Sequence, residues 1–73
     1  MKRKKLKEKF KDILINTSPE NPLICVINLN GLKCIKIFQI DNDIIYFYIE
    51  DDCLITFDDV TTEILELILN EIK

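Results

Sequence analysis

The most constraining feature of this 73-residue chain is its single glycine, Gly31, which follows Asn30 between two apolar runs. An Asn-Gly pair in that setting is typical of a two-residue hairpin turn, because a type I′ turn needs positive φ at both positions. The runs at 23–29 and 32–40 are rich in branched residues, so we expect two antiparallel strands. The two-residue loop pairs Leu29 with Leu32, Ile27 with Cys34, Cys25 with Lys36 and Leu23 with Phe38.

Two more strands follow, at 44–50 and 53–57, after turns at 41–43 and 51–52 that are rich in aspartate. The length of the loop at 41–43 decides which residues of the third strand face inward. A loop of two or four residues places Ile45, Phe47 and Ile49 on the inner face, and a loop of three residues exchanges them with Tyr46 and Tyr48. We prefer the first alternative because it buries Phe and Ile instead of two phenols.

The predicted register gives the sheet two apolar faces. The inner face, interrupted only by Lys36, carries Leu23, Cys25, Ile27, Leu29, Leu32, Cys34, Phe38 and Ile40. The outer face carries Ile24, Val26, Ile35, Ile37, Tyr46 and Tyr48, with Leu54 as a further candidate. Since a half-buried antiparallel sheet is usually polar on its outer face, the second group needs a cover: the N-terminal helix, a second copy or another protein.

Helical periodicity is present at both ends of the chain. The first helix, from residue 4 or 5 to about residue 16, has one apolar stripe that consists of Leu6, Phe10, Ile13 and Leu14. Residues 1–4 lack a capping residue and place cations at a helix N-terminus, so we expect them to fray. The second helix, at 60–73, has Thr61 as its N-cap and should cover the sheet face that bears Ile27, Phe38 and Phe47.

These elements predict a single α+β domain over residues 1–73. Its order is an N-terminal amphipathic helix, a four-stranded antiparallel meander and a C-terminal helix packed on one sheet face. A chain of this length forms one domain with a small stability margin.

Composition excludes most catalytic machinery. The chain has no histidine, which removes imidazole bases and the common zinc sites, and one glycine cannot build a phosphate-binding loop. Asp41, Asp43, Asp58 and Asp59 should gather at one end of the meander, but the loop at 41–43 lacks the calcium-binding pattern. We therefore expect a non-enzymatic protein with no cofactor and no metal.

The three cysteines, Cys25, Cys34 and Cys53, indicate a reducing compartment. Their number is odd, no signal peptide precedes them and no apolar run is long enough to span a membrane. We expect a cytoplasmic protein. The predicted pairing brings the thiols near one another on the inner face, where core packing is the favoured interpretation over a zinc site.

Charge is distributed asymmetrically in this small acidic protein of net charge −3. Residues 1–11 carry a charge of +6 and residues 12–73 carry −9. A basic arm on an acidic body is typical of a contact with nucleic acid, a membrane surface or a partner. Nucleic-acid phosphates would be contacted by Lys2, Arg3, Lys4, Lys5 and Lys9, although the same pattern also describes a solvated helix face.

The outer sheet face carries the leading functional hypothesis. An apolar patch of this size, with two tyrosines, is larger than monomers usually expose and favours an interface. The sequence therefore predicts a small protein-protein interaction module that binds itself, as a dimer, or another protein. By analogy of size and charge, it would be a phage or mobile-element accessory protein that inhibits a host enzyme, as anti-CRISPR proteins do. The alternative is a nucleic-acid-binding regulator that uses the basic helix.

Overall fold

A computed structural model describes residues 2–28, 32–41, 43–49 and 53–72, and of Leu32 only the backbone. The chain order is helix, four strands, a short 3-10 helix and a second helix, which confirms the predicted α+β class. The elements are α1 (Lys2–Ile13), β1 (Leu23–Asn28), β2 (Leu32–Ile40), β3 (Ile44–Ile49), β4 (Cys53–Thr56), the 3-10 helix Phe57–Asp59 and α2 (Thr62–Ile72).

The strands form one antiparallel sheet in the order β1-β2-β3-β4. Asn28 pairs with Leu32, so the first connection has three residues and the predicted two-residue loop is wrong. Leu29, with its predicted pairing, and the turn residues Asn30 and Gly31 lie outside the described residues. The prediction failed because a glycine also suits the left-handed position of three-residue hairpin loops.

The second connection also has three residues, since Ile40 pairs with Ile44. Asp41 adopts a left-handed backbone with φ 56°, which the short side chain of aspartate tolerates. The amide of Asp43 closes the turn by donating to the carbonyl of Ile40 at 3.2 Å. The loop length that the sequence analysis did not prefer is therefore the observed one.

Both predicted loop lengths were wrong by one residue. As a result β1 and β3 present the predicted residues to each face of the sheet, whereas β2 presents the opposite ones. Cys25 and Phe47 lie on the same face as predicted, because two shifts of one residue restore the alternation. In β2 every described side chain lies on the face opposite to the predicted one. Ile35 and Ile37, expected on the outer face, are buried in the core, whereas Cys34, Phe38 and Ile40 lie on the outer face.

Both helices pack on the face that bears Phe47 and form one hydrophobic cluster with it. The ring of Phe10 in α1 meets the rings of Phe47 and Phe57 edge to face, at centroid distances of 5.7 and 5.9 Å. From α2, Leu65 and Ile68 are fully buried. The predicted position of the C-terminal helix over Ile27 and Phe47 is confirmed, but Phe38 lies on the other side of the sheet.

Helix α1 both starts and ends earlier than predicted, since it covers Lys2–Ile13. Arg3 gives a physical reason for the early start: its Nη2 donates to the backbone carbonyls of Phe57 and Val60 at 2.7 and 2.6 Å. Its Nη1 also donates to the Thr62 hydroxyl at 3.3 Å. Fraying of residues 1–4 stays a prediction, and these bonds oppose it.

Two threonine hydroxyls form hydrogen bonds at the helix ends, one at the start of α2 and one just after the end of α1. The Thr61 hydroxyl accepts a bond from the amide of Ile64 at 3.4 Å, as the predicted N-cap should. Beyond the C-terminus of α1, the Thr17 hydroxyl donates to the Leu14 carbonyl and accepts from the Gln39 amide, at 2.6 and 3.1 Å. These bonds connect the end of α1 to β2 and hold the helix against the sheet.

Candidate interaction surface on the sheet

The sheet has one face that neither helix covers, because α1 and α2 both lie on the other side. We call it the open face. Its described side chains, which alternate with the core residues along the strands, are Ile24, Val26, Asn28, Cys34, Lys36, Phe38, Ile40, Ile44, Tyr46, Tyr48, Leu54 and Thr56. Most are apolar or aromatic, which is unusual for a sheet surface in water.

The strand register arranges the centre of the open face in a row across all four strands. Ile24 is opposite Lys36, Lys36 is opposite Tyr48, and Tyr48 is opposite Leu54. The outer members are well exposed, Ile24 at 58% and Leu54 at 53%. Among the described residues of the open face, Lys36 is the only charged one, and it forms no ion pair with any described residue.

A second row, next to the first, holds two stacked aromatic rings. Phe38 and Tyr46 have centroids 5.6 Å apart and planes inclined by 30°. Phe38 is 9% exposed, although it lies on the open face, and Tyr46 is half-buried. Such rings supply rigid contact area at a small cost in side-chain entropy.

The structure brings together four of the six residues predicted for the outer face. Ile24, Val26, Tyr46 and Tyr48 lie there, and Leu54 joins them as the sequence analysis suggested. Ile35 and Ile37 are 1% and 0% exposed beneath the helices, so their predicted placement is wrong. Lys36 and Phe38 occupy the open face instead. Their placement could have been predicted only from the correct length of the first loop, because that length decides which residues of β2 face outward.

The three cysteines do not converge as predicted. Cys25 is buried on the core face, while Cys34 lies exposed on the open face and Cys53 is exposed on the short strand β4. No three or more Cys, Asp or Glu residues come close enough to hold a metal ion in the described part of the chain. Burial, with Glu71 and Cys34 nearby, raises the pKa of the Cys25 thiol above its ordinary value.

The basic residues of α1 divide between structural and exposed roles. Arg3 is engaged with backbone carbonyls, and Lys11 approaches Asp43 at 3.8 Å. A groove of about 240 Å³ runs between α1 and α2. It is lined by Lys2, Lys5, Leu6, Lys9, Glu66, Leu69 and Asn70, and Lys2 and Glu66 form an ion pair of 3.2 Å across it.

Of the four aspartates expected to gather at one end of the meander, two line the same depression. Asp43 and Asp58 line one shallow depression beside Lys7. Lys7 and Lys11 lie close to these carboxylates. Their positive charges offset the negative charge that would otherwise attract a metal cation.

Compared with protein families, curated proteins and solved structures, the chain matches none of them. Within residues 2–28, 32–41, 43–49 and 53–72, no helix combines the length and apolarity that a membrane crossing requires.

Proposed function

We propose that this chain is a small protein-protein interaction module and that the open face is its binding surface. The observation that supports the proposal is the placement of both helices on one side of a sheet whose other side is largely apolar. At about 25 cal/mol per Å² of apolar area, leaving such a face in water forgoes free energy comparable to the stability margin of a domain this small. Binding another protein surface recovers it.

The side chains of the open face resemble those of protein interfaces in kind and arrangement. Tyr46 and Tyr48 are half-buried on β3, with Leu54 beside Tyr48 on β4. The aliphatic residues at 24 and 26 lie two strands away, on β1. Tyrosine is enriched at interface hot spots because its ring supplies contact area and its hydroxyl bonds at a wet rim.

The test replaces a central residue of the open face and compares it with a matched residue on the helical side. Tyr48→Glu should abolish both self-association and retention of partner proteins from a lysate of the source cell. Ile15→Glu, at a position 65% exposed after α1, should leave both unchanged. Thermal melts of both variants control for folding, and association that persists in a folded Tyr48→Glu protein contradicts the proposal.

The role as an accessory protein that inhibits a host enzyme stays a prediction from size and charge. The same lysate experiment bears on it, because a host enzyme retained by the parent and lost by Tyr48→Glu would be the expected partner. Loss of that enzyme's activity on addition of the parent, but not of the variant, is the expected result.

Nucleic-acid binding is a second candidate function, favoured by the groove between the helices. Lys5 and Lys9 are exposed along one side of it, on the surface opposite the open face. If they neutralise phosphates, retention of DNA or RNA should fall steeply with salt. A Lys5→Glu, Lys9→Glu variant should lose that retention, and retention unchanged in the variant contradicts this function.

A further inference from the structure

We propose that the occupant of the open face is a second copy of this chain, packed sheet against sheet around a two-fold axis parallel to the strands. The proposal rests on the proposed function and specifies its partner. The supporting observation is the order of residues in the central row. When a two-fold rotation places this row against the same row of a second copy, each residue meets a favourable partner.

The symmetry is easiest to see across the middle of the sheet. The row reads Ile24, Lys36, Tyr48, Leu54, one residue per strand, and its midpoint lies between β2 and β3. A two-fold axis through that midpoint places each β2 over β3 of the second copy. Lys36 then faces Tyr48 of the second copy, and Ile24 faces Leu54.

This pairing gives a favourable partner to Lys36, the only charged residue among the described residues of the open face. An ammonium group buried without a partner is unfavourable, and two lysines that face each other would repel. In the proposed dimer the two Lys36 side chains lie apart, each against a tyrosine of the other copy. A ring face attracts an ammonium group, and a phenolic oxygen accepts its hydrogen bond.

The twist of the sheets preserves the central contacts. Face-to-face sheets pack about 10 Å apart with their strands inclined by roughly 30°. A rotation about the midpoint displaces residues in proportion to their distance from it, so Lys36 and Tyr48 move least. The outer pair, Ile24 and Leu54, is displaced more but stays apolar against apolar.

The size of the face predicts a weak dimer. Four strands about 4.8 Å apart and roughly six residues long cover a flat area of roughly 400 Å². Standard interfaces bury about 800 Å² of accessible surface per partner. We therefore expect a reversible dimer with a dissociation constant in the micromolar range, which sedimentation equilibrium can measure.

The experiment compares single variants with their mixture, using the full chain as its own probe. Lys36→Glu alone and Tyr48→Lys alone should each dimerise at least about tenfold more weakly than the parent. Mixing them should restore association, because the mixed dimer contains one ion pair between the two introduced side chains and one original contact between lysine and tyrosine. The control is Lys36→Glu mixed with Tyr48→Gln, which changes the same open-face position without adding a charge and should show no such restoration.

A second measurement needs no substitution. Dilution of the parent should shift the amide resonances of Ile24, Lys36, Tyr48 and Leu54, while those of the core residues Leu65 and Ile68 stay in place. This readout holds if Tyr48→Lys fails to fold, which a thermal melt would reveal.

Two results would overturn the proposal and remain distinguishable from failure of the proposed function. A parent that is monomeric at roughly 1 mM, but binds a different protein in a way that Tyr48→Glu abolishes, overturns the dimer and keeps the interaction module. A dimer whose variants show no gain on mixing overturns the proposed symmetry. If open-face substitutions affect neither self-association nor partner retention, the proposed function itself fails.

Discussion

At the scale of single residues, Arg3 connects the beginning of α1 to the segment before α2. Its guanidinium donates to the carbonyls of Phe57 and Val60 and lies 5.2 Å from the centre of the Phe57 ring. The planar fork of arginine suits several acceptors at once. One side chain thereby bonds the carbonyls of the first residue of the 3-10 helix and of the residue that follows it, and attaches the first turn of α1 to them.

Replacing Arg3 by Met should lower the free energy of unfolding by about 2 kcal/mol, since hydrogen bonds that involve a charged group contribute more than neutral ones. Lys4→Met removes a cation from the next position, which is exposed, and should change stability by less than about 0.5 kcal/mol. Urea denaturation of both variants measures the difference. Equal effects would show that Arg3 acts only through its charge.

The three thiols differ in environment, and this predicts different reactivity. Burial raises the pKa of Cys25, with Glu71 and Cys34 as further causes, whereas Cys34 and Cys53 are exposed. Because the thiolate is the nucleophile, Cys25 should react with iodoacetamide much more slowly than the other two. Mass spectrometry of partially alkylated protein measures the order, and early modification of Cys25 contradicts the structure.

The raised pKa of Cys25 also predicts a loss of stability in alkaline solution. The folded state favours the neutral thiol, so its contribution is complete below the ordinary thiol pKa of about 8.5. Stability falls as the pH rises from there through the pKa of the folded state, because the unfolded chain loses its proton first. Urea denaturation from about pH 7 to 10 should show a smaller decline for Cys25→Val than for the parent, and an identical decline contradicts this.

At the scale of secondary-structure elements, α2 has one face that contributes to the core and one that does not. Ile68 is fully buried, while its neighbour Leu67 is 44% exposed. The two positions lie in the same helix turn, so they share backbone and helix propensity. They form a matched pair for testing which face of α2 packs on the sheet.

Ile68→Asp should unfold the domain, because it places an unpaired carboxylate in the apolar core. Leu67→Asp introduces the same residue at the exposed position and should cost only about 1 kcal/mol, largely from helix propensity. Circular dichroism and thermal melts distinguish the outcomes. A cooperative melt of Ile68→Asp near the parent midpoint would mean that α2 does not pack as described.

At the scale of the whole molecule, both helices and the sheet share one hydrophobic cluster. Phe10 lies at its centre, where α1 meets the sheet and the 3-10 helix through Phe47 and Phe57. A domain with one cluster is expected to unfold in a single transition. The helical side therefore determines stability, and neither helix covers the open face.

Phe10→Ala should cost about 3–5 kcal/mol, which equals the margin expected for a domain of this size, and should leave the chain largely unfolded. Phe10→Leu should keep a cooperative transition at a lower midpoint. Ile15→Ala, at an exposed position, should melt like the parent. Loss of helix in Phe10→Ala while the strands persist would show that α1 folds independently of the sheet.

The sequence by itself predicted two helices and four strands in their observed order, but not the 3-10 helix Phe57–Asp59. All four strands begin and end within about one residue of their expected bounds, and Thr61 caps α2, whereas both ends of α1 were misplaced. Local signals suffice for the strands and the cap, because alternation, caps and turn residues act over a few positions. The outer placement of Ile24, Val26, Tyr46 and Tyr48 was also predicted, but for the two tyrosines of β3 it held only because the two errors in loop length cancelled.

Tertiary structure alone decided the length of the loops, the face of β2 and the position of α1. A strand has a side-chain period of two, so one extra loop residue moved Ile35 and Ile37 into the core and brought Lys36 and Phe38 to the open face. Asn-Gly suits loops of either length, and its local signal cannot decide between them. The choice follows from burying Ile35 and Ile37 beneath both helices, which is a property of the packed molecule.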